Sequence, residues 1–225
     1  SHEFNNLLAV ISGNVQLLDG AYKDDRVLTD ALHTIMKATD DGTEISSNML
    51  KFTSTYQDTK ELVPSDIREL IKHSISFTKP RWKNEAQAKG IGYKMETECM
   101  KSIPPIMCKH SEMREIFINL INNSLDAMPG GGNLTFSTWN VDDTVFVKVS
   151  DNGEGMSDAV KKNIFDPFFS TKGVEGTGLG MSTVYGIVTR HGGKIEVDSE
   201  IGKSTTFTLQ FPTTNKKASL IDVPD

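Results

Sequence analysis

Between Asp151 and Gly180 the chain concentrates glycines, carboxylates and phenylalanines at close spacings. Asp151-Asn152-Gly153-Glu154-Gly155 opens the stretch, Phe165-Asp166-Pro167-Phe168-Phe169-Ser170-Thr171-Lys172 follows, and Gly176-Thr177-Gly178-Leu179-Gly180 closes it. Glycine lets a ligand come close to the backbone, so clustered glycines running into a helix suit phosphate held by free N–H groups. Either piece alone also fits an ordinary glycine turn; their combination favours a nucleotide pocket. Upstream, Asn119, Asn123 and Asp126 recur at i, i+4 and i+7, which puts them on one helix face while Phe117, Leu120, Ile121 and Leu125 turn toward a core. Carboxamides on an otherwise apolar helix are costly to bury without partners. This stripe has two readings: a solvated face, or a face turned to Mg²⁺, an oxygen-liganded ion carried on nucleotide phosphates. A third centre of chemistry opens the chain, His2-Glu3-Phe4-Asn5-Asn6. A neutral imidazole has a lone pair free to attack a phosphoryl group, and a neighbouring carboxylate can orient the ring or take its proton. His33, His73, His110 and His191 carry no such pattern and read as surface or helix-end residues.

The elements that must position these residues are legible in the periodicity. Phe4, Leu8, Ile11, Val15 and Leu18 alternate at spacings of four and three, and Leu28, Leu32, Ile35, Thr39, Gly42, Ile45, Met49 and Phe52 resume that rhythm after a polar break. Two such seams predict an antiparallel helical hairpin, which buries its second apolar stripe by dimerising into a four-helix bundle or by packing on the rest of the chain. Residues 53–61 read as a linker or last helical turn, and Pro64 resets the chain. Ser65 or Asp66 is placed to cap a helix carrying Ile67, Leu70, Ile71 and Ile75. Short strands are expected at 91–96 and 106–108, and a strong amphipathic helix at 111–128, stopped by Pro129-Gly130-Gly131-Gly132. A hairpin is expected from 134–140 and 144–150 across Asp142-Asp143, a helix at 182–191, and a strand pair at 195–198 and 205–211.

Composition narrows the class. The 225 residues are 37% hydrophobic and 24% charged, which describes a soluble globular protein of one large or two modest domains, and the expected helices and strands make its fold class α+β. No apolar run reaches the roughly 20 residues of a membrane span and no signal peptide opens the sequence, so the expectation is a cytoplasmic fragment, membrane-bound only through upstream segments. A net charge of −6 argues against nucleic acid as a partner. Cys99 and Cys108 have neither metal-ligand nor disulfide-framework spacing and read as structural. Gly178-Leu179-Gly180 lacks the third glycine of a dinucleotide fingerprint, and no P-loop is present.

Five segments, 119–127, 151–155, 165–172, 176–180 and 202–207, resemble in order the N, G1, F, G2 and G3 boxes of sensor histidine kinases, and His2-Glu3-Phe4-Asn5-Asn6 resembles their phosphoacceptor box. The wording is most similar to kinases of the nitrogen-regulation type. The resemblance implies a dimerisation and phosphotransfer domain at 1–57, an ATP-binding two-layer α/β sandwich of the Bergerat type at 58–214, and a tail at 215–225. It implies ATP and Mg²⁺ as cofactors, a homodimer, and a response-regulator receiver as partner. Site residues follow position by position. His2 would accept the phosphoryl group, with Glu3 and Asn6 assisting the forward and reverse reactions. Asp151 would accept from the adenine amino group beside Gly153 and Gly155, Asn123 would coordinate Mg²⁺, and Asn119 and Asp126 would line the phosphate side. Phe168 and Lys172 would belong to the lid, Gly176, Gly178, Leu179 and Gly180 to the phosphate loop, and Thr206 to the G3 strand. Ser204 stands where the G3 box often has a second glycine. ATPases of this fold carry a glutamate four residues before the metal-binding asparagine, where this chain has Asn119, so a dedicated ATPase is disfavoured. An anti-sigma-type serine kinase would share the ATP boxes without needing the His2 hairpin. A remaining alternative is an ATP-binding module without phosphotransfer.

Overall fold

The computed structural model describes residues 2–22, 25–36, 38–39, 62–88, 90–172 and 176–214. By its contacts the chain divides into two compact units, residues 1–59 with 172–179, and residues 60–171 with 180–225.

In the first unit, helix α1 spans His2–Ala21 and helix α2 spans 26–36. Asp25 starts α2: its carboxylate accepts the Leu28 N–H at 3.1 Å, and its carbonyl accepts the Thr29 hydroxyl at 2.8 Å. The expected seams are only partly covered. Val15 and Leu32 are buried, whereas Ile11, Leu18 and Ile35 each remain 44% exposed. Gly42, Ile45, Met49, Phe52 and the expected linker lie outside the described residues.

The second unit is a five-stranded sheet covered on one face by helices. Its strands are β2 (Tyr93–Met100), β4 (Gly132–Val141), β5 (Thr144–Asp151), β6 (Lys194–Glu200) and β7 (Ser204–Pro212), in the order β2-β4-β5-β7-β6. β2 runs parallel to β4 and the remaining pairs are antiparallel. A short antiparallel ribbon, β1 (Val63–Ser65) with β3 (Ile106–Cys108), pairs separately and meets the end of β7 through a bridge between Ile106 and Thr213. Alternation decides the buried face: Leu134 and Phe136, Val145, Val147 and Val149, and Phe207, Leu209 and Phe211 all point into one core. Helices α3 (Ile67–Phe77), α5 (His110–Asp126) and α7 (Gly180–Arg190) complete that core with Ile67, Ile71, Phe117, Leu120, Val184 and Ile187. The other sheet face carries the stacked pair Trp139 and Phe146, 5.2 Å between ring centroids.

The hairpin expected across Asp142-Asp143 is β4–β5, with Asp142 at φ 48° in its turn. Of the two candidate caps, Asp66 starts α3 by accepting the Arg68 N–H at 2.9 Å, while Ser65 ends β1. The strand expected at 91–96 instead runs from 93 to 100, because its register is set by parallel pairing to β4 rather than by its own alternation. Three elements carry no clear periodic signal: a π-helical segment Pro80–Glu85, α4 (Ala86–Ala88) and α6 (Asp158–Asn163), all too short for an amphipathic pattern to repeat.

Candidate functional site

Asp151 is the last residue of β5, and the strand's alternation turns its carboxylate into the helix-covered side behind Val145, Val147 and Val149. It is 5% exposed. Three donors meet it: the Ser124 hydroxyl of α5 at 2.8 Å, the Gly153 N–H at 3.0 Å, and the backbone of Thr205 on β7. Burial pushes the Asp151 pKa above the ordinary carboxylate value, and these hydrogen bonds pull it back only in part.

The loop after Asp151 is fastened along its length. Glu154 N–H reaches the Ala127 carbonyl at 2.9 Å, Gly202 N–H reaches the Glu154 carbonyl at 2.6 Å, and Met156 N–H reaches Ser199 Oγ at 2.8 Å. This closeness explains two of the glycines. A Cβ on Gly153 would stand 2.5 Å from the Ala127 carbonyl oxygen, and one on Gly155, at φ 66°, would run into the Glu200 carbonyl.

Helix α5 supplies the adjoining wall. Asn119 and Asn123 lie on its half-buried face. Gly180, the first residue of α7, comes so near Asn119 that an added Cβ would sit 3.3 Å from the carboxamide oxygen. Asp126 shares the stripe but is held on its flank: Arg81, from the π-helical segment, pairs with Asp126 and donates to Asn122 Oδ1 at 2.8 Å. Sequence reasoning missed Arg81, because its link to α5 spans a segment without periodicity.

The structure brings Asp151, Gly153, Gly155, Asn119, Asn123 and Gly180 into one unit with α5 as a common wall. It places Thr206 elsewhere. Thr206 is in phase with Ser204 and Thr208, and its hydroxyl meets Ser150 at 2.6 Å on the open face of the sheet. The residue beside Asp151 is Thr205, buried and directly opposite it in register. The phase of Phe207, Leu209 and Phe211 was the available signal, since it assigns Thr205 and not Thr206 to the inner face.

Phe168 is 56% exposed with φ 67°, a backbone conformation costly for a bulky side chain, and Phe165 rests against Tyr185 with ring centroids 5.5 Å apart. Lys172, Gly176, Gly178 and Leu179 group with the first unit; there Lys172 is exposed, Leu179 is buried and Gly178 has φ 66°. His2, Glu3 and Asn6 fall within α1, and their side chains lie outside the described residues. Cys108 is fully buried and burial raises its thiol pKa, consistent with a structural residue. No helix among the described residues is long and apolar enough to cross a membrane.

Residues 108–215 match the family described as histidine kinase-, DNA gyrase B-, and HSP90-like ATPase. The sensory histidine kinase/phosphatase NtrB of Azospirillum brasilense is 31% identical over 227 residues, covering 94% of this chain and 53% of NtrB. The curated relatives that the chain matches are longer, and it spans 24% to 53% of their lengths. Among solved structures, full-length ShkA in complex with AMPPNP superposes with a TM-score of 0.73 at 24% identity, over 94% of this chain and 44% of ShkA. Histidine kinase ThkA in complex with the response regulator TrrA superposes with a TM-score of 0.65 at 22% identity, over 96% of this chain and 60% of that one. At these identities the two superpositions establish the fold.

Proposed function

Because this chain belongs to the sensor histidine kinase catalytic cores, with residues 108–215 in the histidine kinase-, DNA gyrase B-, and HSP90-like ATPase family, we propose that it transfers the γ-phosphoryl group of Mg-ATP to His2 and passes it on to a response-regulator aspartate. The observation that carries the nucleotide half is the buried Asp151 carboxylate, held by Ser124 and Gly153 beneath a loop whose glycines touch backbone. A carboxylate so placed has acceptor capacity left for an amino group and selects adenine.

In this reading Gly153 and Gly155 let the loop close against Ala127 and Glu200 and so hold it beside the base and sugar. Gly176, Gly178 and Gly180 offer N–H groups to the phosphates at the start of α7, where the helix dipole favours anions, and Leu179 belongs to the same loop. Asn119 and Asn123 face the phosphates, Asp126 is held by Arg81 beside them, and Phe168 and Lys172 belong to the lid. Among the described residues no group of three or more His, Cys, Asp or Glu side chains converges. Mg²⁺ would arrive on the phosphates, keep waters and take a carboxamide oxygen from Asn123. When bound, Mg²⁺ would offset phosphate charge.

The acceptor half rests on His2. A ring nitrogen forms the new N–P bond as the bond from the γ-phosphorus to the ADP oxygen breaks, Glu3 takes the ring proton, and Asn6 orients water for the reverse, phosphatase reaction. Domain boundaries at 57 and 214 put His2 and Asp151 in separate domains, so the linker must let one swing to the other. The response-regulator partner is supported by ThkA, which was solved with one. Incubation with γ-labelled ATP tests the proposal: acid-labile, alkali-stable label is expected, and it is expected to vanish in His2→Gln. Label persisting in His2→Gln would move the acceptor elsewhere, and nucleotide binding without any label would leave an ATP-binding module.

A further inference from the structure

Asp151, Thr205 and Ser199 form one polar row across the inner side of three neighbouring strands, Asp151 opposite Thr205 and Thr205 opposite Ser199. Each occupies a place that its strand's alternation otherwise gives to apolar side chains: Val147 and Val149 precede Asp151, Phe207 and Leu209 follow Thr205, and Ile195 and Val197 precede Ser199. Ser199 is 8% exposed and Thr205 5%. Buried hydroxyls need partners, and those of Ser199 are specific. Its Oγ accepts the Met156 N–H at 2.8 Å, donates to the Ser204 carbonyl at 2.8 Å, and lies 3.0 Å from Thr205 Oγ1.

A hydroxyl has one proton and two lone pairs. With the Ser199 proton on the Ser204 carbonyl and one lone pair on Met156, its remaining lone pair can only accept, so the Thr205 proton points toward Ser199. The Thr205 oxygen is thereby left as an acceptor next to the Asp151 carboxylate, itself an acceptor. We propose that Ser199 is a positioning residue that sets base specificity: by holding the Thr205 proton and the Met156 backbone it keeps the Asp151 end of the row acceptor-only, favouring a nucleobase whose edge presents an amino donor over one presenting a carbonyl. This rests on the reading of Asp151 as the nucleobase acceptor.

The test is the dissociation constants of the full chain for ATP and GTP analogues, in wild type, Ser199→Ala and Ser199→Thr. Ser199→Ala frees the Thr205 proton to meet a carbonyl. It is expected to weaken ATP binding about tenfold and to lower the GTP-to-ATP ratio of dissociation constants at least about threefold, while Ser199→Thr, which keeps the hydroxyl, restores both. Equal weakening of both nucleotides, or no change, overturns the proposal while leaving ATP binding by the wild type intact. Failure of the wild type to bind ATP removes the Asp151 reading and the proposal with it. Thr205→Val, which deletes the hydroxyl that Ser199 holds, is expected to lower the same ratio; an unchanged ratio there overturns the proposal even if Ser199→Ala does not fold.

Discussion

Ionising Asp151 works against the fold that holds it. Its folded pKa stands above the ordinary value of 3.8, chiefly because burial disfavours the charge, so the folded chain binds that proton more tightly than the unfolded chain. The stability it contributes is therefore full below about pH 3.8 and is lost as pH rises through the folded pKa. Asp151→Asn cannot ionise. Relative to the variant, the wild type is expected to lose stability as pH rises from about 4 through the folded pKa, measured by denaturant unfolding at stepped pH. The variant's ATP affinity is expected to fall at least about tenfold, since the amide turns a donor toward donors. Parallel stability curves would show that Asp151 does not titrate in the fold; undiminished ATP binding would remove it from the site. The sequence made Asp151 legible through the glycines that follow it. It hid Ser124 and Ser199, because a serine on an apolar face carries no mark of the partner that the fold will give it. Thr205 and Thr206 are adjacent and chemically alike, so only the strand's phase separates them.

At the scale of elements, the site depends on how α5 and α7 are held together, and His191 is one of their joints. It follows α7 and is buried; its Nδ1 lies 2.8 Å from the Ile187 carbonyl, and its Nε2 lies 3.3 Å from the Lys109 N–H at the start of α5. Both contacts are satisfied by the neutral ring with its proton on Nδ1; a second proton would confront the Lys109 N–H. Burial lowers the His191 pKa below 6.5 against the opposing influence of the Ile187 carbonyl and Glu112, and Arg190 and Lys109 lower it further. The stability from this joint is present above about pH 6.5 and is lost as pH falls toward the folded pKa. His191→Leu is expected to lose about 1–3 kcal/mol at pH 7.5, chiefly because the Lys109 N–H loses its Nε2 acceptor, and to lose less near pH 5.5. Denaturant unfolding at both pH values checks it, and an equal loss at each would deny His191 a pH-dependent role. The helices themselves were legible, since α5 and α7 repeat their apolar spacing over several turns. The joint was not, because it links a helix end to a helix start 82 positions away in the chain.

For the molecule as a whole, exposed apolar side chains stand out among the described residues of the first unit. Val10, Leu17 and Val27 are 62%, 74% and 83% exposed, and Ile11, Leu18 and Ile35 of the two seams are 44% exposed. Exposed apolar side chains recurring along a helix pair are better buried against a second copy, and a two-fold bundle would cover the same residues on both chains at once. The seam spacing announced these positions in the sequence, but a seam alone does not say whether its partner is in the same chain. The homodimer that the resemblance implies predicts a solution mass of twice 24.8 kDa by sedimentation. Replacing Ile11 and Leu18 together by glutamate is expected to weaken self-association at least about a hundredfold, because two charges would be buried without partners. ATP affinity is expected to change by less than about twofold, since neither Ile11 nor Leu18 is among the residues assigned to the nucleotide. A double variant that stayed dimeric at micromolar concentration would place the interface on another surface. One that lost ATP binding together with dimerisation would mean that nucleotide binding depends on self-association.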